Sequence, residues 1–209
     1  MSIFITFEGG EGCGKSLQSR TLHRRLSKIS TRSILIHEPG GTLLGQKIRY
    51  LLKKACDIPI SPLAELFLFN ASRNQLVHDV IKPALKENKI VICDRFSDST
   101  LAYQSYGRGL NLTLVREINQ LAVQGLKPDL TFLLDVPPEI GLKRKKYRTN
   151  DRFEQEILAF HQRVRQGFLN LAQDEPQRWV IIDSLLPPRK ISETIWERVN
   201  SLLNQNTGS

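Results

Sequence analysis

The residue pattern with the clearest chemical meaning lies near the start of the chain, where segment 9–16 reads GGEGCGKS. It matches G-x-x-x-x-G-K-[ST], a loop whose glycine N–H groups surround phosphate oxygens. In such a loop Lys15 is expected to bridge the β- and γ-phosphates of a nucleotide, and the Ser16 hydroxyl to bind Mg²⁺. The alternative is an ordinary glycine-rich turn, but an apolar run precedes this segment and a helical pattern follows it, as the motif requires. The predicted nucleotide-binding residues are Gly9, Gly10, Glu11, Gly12, Cys13, Gly14, Lys15, Ser16 and Leu17.

A second pair of polar residues, Asp94 and Arg95, follows another apolar run. An acid at such a position commonly helps to hold Mg²⁺, and an arginine beside it brings positive charge to a phosphate. Asp94 could instead cap the following helix. Asp135 is a rival metal-binding acid, but the following Pro137 and Pro138 indicate that it starts a helix, so Asp94 is the first choice.

The phosphate-binding loop predicts a nucleotide but not a reaction, because GTPases, motor ATPases and small-molecule kinases all use it. A GTPase usually carries an N-K-x-D motif, which this sequence lacks. A nucleic-acid-stimulated ATPase remains an alternative, since the chain has a net charge of +9 and basic proteins bind polyanions. A kinase with an unphosphorylated acceptor would leave Arg95 without a role.

Short segments along residues 3–184 together resemble bacterial thymidylate kinases. Their order and spacing separate this family from adenylate and guanylate kinases. The resemblance implies transfer of the γ-phosphoryl group of ATP to dTMP with Mg²⁺, giving dTDP for dTTP synthesis. The matching segments are 8–16 (EGGEGCGKS), 38–42 (EPGGT), 69–73 (FNASR), 94–96 (DRF), 99–104 (STLAYQ), 107–109 (GRG), 127–131 (KPDLT) and 151–154 (DRFE).

The resemblance implies a site for the thymine base. Phe69 and Arg73 are four residues apart on a predicted helix and therefore share a face. They are expected to stack on thymine and to donate to its O4 atom. Spacing alone would also suit one core aromatic residue and one surface arginine. Thr100 and Gln104 share another helix face and, by the resemblance, contact the base.

The resemblance also implies contacts to the sugar and the phosphate of dTMP. Tyr103, which shares a helix face with Ser99, is expected to pack on the sugar and to disfavour a ribose. Glu11 is expected to contact the 3′-hydroxyl. Arg95 and Arg49 are expected to hold the acceptor phosphate, although Arg49 also suits a routine position on a helix surface. The predicted dTMP-binding residues are Glu11, Pro39, Arg49, Phe69, Arg73, Arg95, Ser99, Thr100, Tyr103 and Gln104.

A basic cluster lies at about 143–153, where the resemblance implies a lid over ATP. Because the phosphate-binding loop contains no arginine, the lid is expected to supply one to the transferring phosphoryl group. Arg148 is the choice, while Arg144 is expected to pack over adenine near residues 183–184. The alternative is a set of interchangeable surface cations. The predicted catalytic residues are Lys15, Asp94, Arg95 and Arg148, with Ser16 and Asp94 as the metal ligands.

The elements that must position these residues alternate along the chain. Strand–helix alternation predicts an α/β fold of the P-loop NTPase type, with a five-stranded parallel sheet between helices in three layers. Ligands bind beyond the carboxyl ends of such strands. Predicted strands are 3–7, 33–37, 90–93, 130–134 and 180–182. Predicted helices are 15–29, 44–55, 62–86, 112–124, 137–146, 152–172 and 189–203.

The whole chain sets the remaining expectations. Its 209 residues suit a single domain, 1–209, with a small basic lid. The N-terminus lacks the pattern of a signal peptide, and the three cysteines lack metal-ligand spacing, which favours a cytoplasmic protein. Cys13 could be a reactive thiol or a small filler residue. Expected partners are ATP, dTMP and a second copy of the chain, through apolar faces of 63–85 and 112–123, with no nucleic acid and no membrane.

Overall fold

The computed structural model describes residues 2–53, 58–145, 152–154 and 156–205. Cys56 and Arg148 lie outside these ranges. Within them, five parallel strands form one sheet in the order β2-β3-β1-β4-β5, with helices on both faces. The predicted α/β fold is therefore confirmed. The strands are β1 (Ile3–Glu8), β2 (Ser33–His37), β3 (Ile90–Asp94), β4 (Leu130–Asp135) and β5 (Trp179–Asp183).

Nine helical segments of the described ranges pack against this sheet. Each face is covered because the central strands are apolar on both sides, as expected for parallel sheets. The helices are α1 (Lys15–Lys28), α2 (Leu43–Lys53), α3 (Pro62–Leu76), α4 (Lys82–Lys86), α5 (Ser97–Thr100), α6 (Leu112–Val123), α7 (Pro138–Lys145), α8 (Leu158–Asp174) and α9 (Pro188–Gln205).

Alternate residues of the central strands divide the core between the two faces. Ile5 of β1 packs with Leu26 of α1 and Ile195 of α9 on one face. Phe4, its neighbour in the strand, packs with Leu76 of α3 on the other face. Burying one such side chain contributes roughly 1.5–3 kcal/mol. The three layers therefore follow from the apolar character of successive strand residues.

The helix predicted over 152–172 begins later than expected. Residues 152–154 form a turn, and α8 starts at Leu158. The backbone of Ile157 is extended, with φ −64° and ψ 153°, so the helical hydrogen bonds cannot extend back through it. That prediction was wrong by six residues, and the turn places Phe153 against the site instead of on a helix.

Two helical stretches contain π-helical segments that the sequence patterns did not indicate. Val77–Ile81 joins α3 to α4, so the predicted helix 62–86 is continuous but changes its hydrogen bonding just before Pro83, which has no N–H to donate. Leu101–Gly107 follows α5 in the same way. Such wide turns are frequent at functional sites. They turn Ser99, Thr100, Tyr103 and Gln104 toward one pocket rather than onto two separate faces.

The carboxyl edge of the sheet is lined by acids. Four of the five strands end in an acidic residue, each one position beyond the end predicted from the apolar run. Because parallel strands end at the same edge, these acids and the loops after them share one surface. They are Glu8, Asp94, Asp135 and Asp183.

Candidate active site

A large cleft lies at this edge and is called the outer pocket here. Its volume is about 580 Å³. Six of its lining side chains are lysine or arginine and three are acidic, so the cleft suits a polyanionic ligand. The lining residues are Glu11, Gly12, Cys13, Gly14, Lys15, Ser16, Leu17, Ser19, Arg20, Leu35, Ile36, His37, Glu38, Arg49, Lys53, Asp94, Arg95 and Arg144.

The phosphate-binding loop forms the floor of the outer pocket. Its last glycine, Gly14, has φ +94° and directly precedes α1. The Lys15 ammonium donates to the carbonyl oxygens of Gly9 at 3.0 Å and Gly10 at 2.6 Å, and to Cys13 Sγ at 3.2 Å. The lysine is therefore held inside the loop, next to the N-terminus of α1, where backbone N–H groups favour an anion.

Ser16 and Asp94 meet beside the loop, as the prediction of a metal site requires. The Ser16 hydroxyl donates to Asp94 Oδ2, and Asp94 pairs with no cation among the described residues. A hydroxyl and an unpaired carboxylate fit Mg²⁺, which takes one or two protein oxygens together with phosphates and waters. The rival acid, Asp135, is engaged by Arg165, which contacts both of its oxygens at 2.8 Å.

The far wall of the outer pocket joins the loop to α7. A Cβ atom on Gly12 would lie 2.0 Å from the carbonyl oxygen of Gly141, so the two backbones touch and no side chain fits between them. Arg144 lies one turn further along α7 and donates to the Ser184 carbonyl at 3.2 Å with both Nη atoms. Arg144 and Ser184, the predicted neighbours of adenine, are therefore in contact.

Arg95 separates the outer pocket from a second, narrower one. Its φ of +71° is uncommon for a residue with a large side chain and is typical of functional sites. The guanidinium donates to the Gly9 carbonyl at 2.9 Å, to Glu11 Oε1 at 2.6 Å and to the Tyr103 hydroxyl at 3.1 Å. Arg95 and Glu11 line both pockets. The predicted phosphate-binding arginine therefore lies where the two pockets meet.

The second cavity, called the inner pocket here, is small and has an aromatic wall. Its volume is about 30 Å³. Phe69 and Phe153 form one wall with ring centroids 5.7 Å apart, and Phe153 also contacts Tyr103 at 5.9 Å. Such a wall suits a flat ring. The lining residues are Glu11, Lys53, Phe69, Arg95, Ser99, Thr100, Tyr103, Gln104 and Phe153.

Two polar side chains of the inner pocket have unused hydrogen-bonding capacity. Thr100 Oγ1 is buried and has no hydrogen-bond partner. Gln104 donates from Nε2 to Glu65 Oε1 at 3.0 Å, and no described residue donates to its Oε1 atom. A buried polar atom without a partner costs roughly 1–3 kcal/mol. The pocket is therefore prepared for a ligand that has polar edges.

Arg73 does not line either pocket, contrary to the sequence expectation. It is 1 % exposed and donates to Glu38, Asn70, Asn119 and the Phe96 carbonyl. Its Nη2 atom also lies 2.7 Å from Glu38 Oε2, so protein acceptors engage all of its nitrogens. A contact with thymine O4 would require one of these donors to be shared or released. The reason is the buried Glu38 carboxylate, which must be paired.

Arg49 forms part of the other wall of the outer pocket, and Pro39 is in contact with it. Arg49 donates to the Pro39 carbonyl at 2.9 Å. Arg49 lines the outer pocket, whereas Pro39 is buried beside it. Neither of these two predicted dTMP-binding residues lines the inner pocket.

Glu8 supports the turn that carries Arg95. It is fully buried, accepts from the Phe96 N–H at 2.8 Å and accepts from the Ser99 hydroxyl at 2.5 Å. Burial, and then the nearby Asp98 carboxylate, raise the pKa of Glu8 to about 8. The Ser99 hydroxyl in turn accepts from Arg95 at 3.2 Å. Glu8 therefore positions two residues of the site.

Sequence reasoning missed several residues that shape the inner pocket. Phe153 was part of a matching segment but was given no role, because it was placed on a helix. Glu65 was not noticed, since an acid in the first turn of a helix usually has only a dipole to complement. It is 0 % exposed and contacts Gln104 and Arg108. No pattern in the sequence marked this buried pairing.

Comparison with known proteins agrees with the geometry. The family model "Thymidylate kinase" matches residues 7–195. A thymidylate kinase of Dehalococcoides mccartyi is 57 % identical over 203 residues, covering 97 % of this chain and 98 % of the relative. One of Trichlorobacter lovleyi is 48 % identical over 208 residues, covering 96 % and 98 %.

A solved structure gives the same result. The crystal structure of thymidylate kinase from Ehrlichia chaffeensis matches with a TM-score of 0.73 and 41 % identity, covering 87 % of this chain and 92 % of that one. None of the helices in the described ranges has both the length and the apolar character needed to cross a bilayer. The resemblance inferred from the short segments is confirmed, and this chain belongs to the thymidylate kinase family.

Proposed function

We propose that this thymidylate kinase binds ATP in the outer pocket and dTMP with its base in the inner pocket. The position of Arg95 carries this proposal, because Arg95 and Glu11 line both pockets. A nucleoside monophosphate with its base in the inner pocket would direct its phosphate past Arg95 toward the phosphate-binding loop. That direction brings the acceptor oxygen toward the γ-phosphate of ATP.

The residues of this chain act by positioning and by neutralising charge. In phosphoryl transfer, charge is spread over the oxygens of the transferring group, and little covalent chemistry is left to the protein. Lys15 would exchange its loop carbonyl contacts for β- and γ-phosphate oxygens. Arg95 would hold the acceptor phosphate while Glu11 keeps the guanidinium in place. Tyr103, which donates to Glu11 at 3.0 Å, would pack against the sugar.

Ser16 and Asp94 would hold Mg²⁺ between them and the phosphates of ATP. The ion supplies positive charge to the β- and γ-phosphate oxygens when bound. No group of three or more histidine, cysteine or acidic side chains that could hold a metal ion occurs among the described residues. That fits Mg²⁺, which is usually held by one or two carboxylates and the substrate rather than by a closed protein site.

Arg148 is the arginine that we propose to stabilise the transferring group. The phosphate-binding loop has no arginine, and Arg144 on α7 is already directed at the Ser184 carbonyl. Arg152 is held elsewhere, since it donates to the Ile60 carbonyl at 3.0 Å. Arg148 itself lies outside the described residues, so kinetics must test it.

A second copy of the chain is the proposed partner. Large apolar side chains are exposed at helical spacing on two adjoining helices: Leu63 and Phe67 of α3, and Leu114 and Leu121 of α6. Leu121 is 78 % exposed. Such a face favours self-association. Sedimentation velocity would give a mass near twice that of one chain, and a single-chain mass at micromolar concentration would contradict the dimer.

The function is tested by product analysis with ATP and a panel of acceptors. The expected result is dTDP from dTMP, with much lower turnover for thymidine and little ADP without an acceptor. Turnover of thymidine above dTMP would favour a nucleoside kinase, for which Arg95 has no role. ADP formation independent of acceptor would favour a hydrolytic ATPase.

A further inference from the structure

Glu65 is a buried carboxylate that lies behind the inner pocket and outside its lining. It is 0 % exposed. Arg108 donates to Oε1 through Nε and to Oε2 through Nη2, both at 3.1 Å. Arg152 lies 3.7 Å from Oε2. Among the described residues, the remaining contact of this carboxylate is the donation from Gln104 Nε2 to Oε1 at 3.0 Å. A carboxylate paired in this way only accepts hydrogen bonds.

This contact fixes which end of the Gln104 amide faces the inner pocket. An amide has one accepting end and one donating end, and rotation by half a turn exchanges them. Because Glu65 accepts, the donating end must point at it, and the carbonyl oxygen must point away. Gln104 is 1 % exposed and lines the inner pocket, and no described residue donates to its Oε1 atom. A ligand in the inner pocket therefore meets a hydrogen-bond acceptor at this position.

An acceptor at this position selects among pyrimidines by their hydrogen-bonding edges. Thymine has one donor on its pairing edge, N3–H, between two acceptors. Cytosine has an acceptor at N3 and its donor on the exocyclic nitrogen. Thr100 cannot discriminate, since a hydroxyl both donates and accepts. Of the two polar side chains with unused capacity in the pocket, only Gln104 has a fixed direction.

We infer that Glu65 is a positioning residue for base selection: by accepting from Gln104, it holds the Gln104 carbonyl toward thymine N3–H and so disfavours cytosine. The inference rests on the proposal that the inner pocket holds the acceptor base. A purely structural role for Glu65, as the partner of Arg108 and Arg152, is compatible with the same ion pairs. The two roles differ in what happens when the charge is removed but the shape is kept.

Glu65→Gln makes this distinction. A glutamine at residue 65 can donate as well as accept, so the Gln104 amide is free to rotate and present its NH₂ group to the base. The measurements are KM for dTMP, KM for ATP, and Ki for dCMP as a competitor of dTMP. The ratio of Ki(dCMP) to KM(dTMP) should fall at least about tenfold, while KM for ATP stays within about twofold.

Arg108→Lys is the matched control. It alters the same buried cluster but keeps Glu65 as an acceptor, so the ratio should stay within about twofold of wild type even where stability falls. If Glu65→Gln alone does not fold, Glu65→Gln with Arg108→Met removes both charges of the pair, so that only the partly exposed Arg152 and Glu156 lose a charged partner. Its ratio is then compared with that of Arg108→Met.

A folded Glu65→Gln enzyme with an unchanged ratio would overturn the inference, as would an equal fall in Arg108→Lys. The proposed function fails separately. If the wild-type enzyme does not turn over dTMP, the assignment of the inner pocket is itself at fault.

Discussion

The outer and inner pockets are built in different ways, although they share Glu11, Lys53 and Arg95. The outer pocket is wide, and its phosphate-binding floor comes from one continuous stretch of backbone and the start of α1. The inner pocket is narrow, and its walls come from α3, the α5 region and the turn containing Phe153. A phosphate group needs backbone N–H groups and positive charge, which a single loop supplies. A base needs flat walls and fixed polar edges, which only distant segments packed together can supply.

Loss of Lys15 should give the largest effect, because the outer pocket concentrates its function in one loop. We expect Lys15→Ala to lower kcat/KM at least about a thousandfold, since the charge on the transferring group loses its nearest cation. Arg20→Ala, which removes an exposed cation from the same pocket, is the control and should cost less than about tenfold. Similar losses in both variants would mean that net charge matters rather than the loop, and circular dichroism would show whether both are folded.

Arg148→Ala should have the next largest effect. An arginine that reaches the transferring group only in the transition state lowers kcat when removed, with little change in ATP binding. We expect a loss of at least about a hundredfold in kcat. Arg148→Lys should recover only part of it, because an ammonium cannot make the paired contact of a guanidinium. If Arg148→Ala retains more than about half of the wild-type kcat, another residue has this role.

Thr100→Val should separate binding from stability in the inner pocket. The Thr100 hydroxyl is buried without a partner, so replacing it with a methyl group should raise the free energy of unfolding by about 1 kcal/mol. The same change removes a polar contact to the base and should raise KM for dTMP about tenfold. Urea unfolding and steady-state kinetics give the two values. A loss of stability together with an unchanged KM would mean that the hydroxyl serves the fold.

Glu8→Gln alters the support of Arg95 rather than the lining of either pocket, and its effect should be visible as a pH dependence of stability. The pKa of Glu8 is raised from about 4.5 to about 8 in the folded state, so the folded protein keeps a proton that the unfolded chain loses across that range. The contribution of Glu8 to stability is therefore greatest at low pH and decreases as the pH rises from about 4.5 to about 8. The slope for one proton is at most about 1.4 kcal/mol per pH unit.

The control for the Glu8 prediction is a comparison of unfolding free energies between wild type and Glu8→Gln. The unfolding free energy of wild type minus that of Glu8→Gln should decrease with rising pH, whatever other groups do. Asp98, Arg95 and Cys93 also interact with Glu8, but they are common to both proteins. Urea unfolding at four pH values would measure the difference. A constant or increasing difference would contradict the raised pKa.

The outer pocket was largely predictable from the sequence because its chemistry is local. Each of its main parts follows from a short sequence pattern. These parts are the loop with its flanking strand and helix, and Asp94 at the end of another strand. The sheet was predictable for the same reason. The exception is the acidic residue that ends four of the strands, because a strand predicted from an apolar run stops before the first charged residue. Phosphate and metal contacts therefore need only short-range information.

The inner pocket was predictable only through resemblance, and then incompletely. Arg73 was expected in the pocket, but the buried Glu38 engages it instead. Ser99 and Thr100 were placed on different helix faces, since no sequence pattern reveals a π-helical segment such as Leu101–Gly107. Tertiary contacts between segments far apart in sequence bring Phe153 into the lining of the pocket and Glu65 behind it. Packing decides which buried charges pair with each other. The spacing of residues along the sequence does not carry that information.

The central claim is that ATP, the phosphoryl donor, and dTMP, the phosphoryl acceptor, bind in separate pockets. It is tested most directly by KM values for both substrates in Phe69→Ala and Arg144→Ala. Phe69 lines only the inner pocket and Arg144 only the outer one. Phe69→Ala should raise KM for dTMP at least about tenfold and leave KM for ATP within about twofold, whereas Arg144→Ala should do the reverse. If Phe69→Ala raises KM for ATP as much as KM for dTMP, or if Arg144→Ala acts mainly on dTMP, the assignment of the two pockets is contradicted.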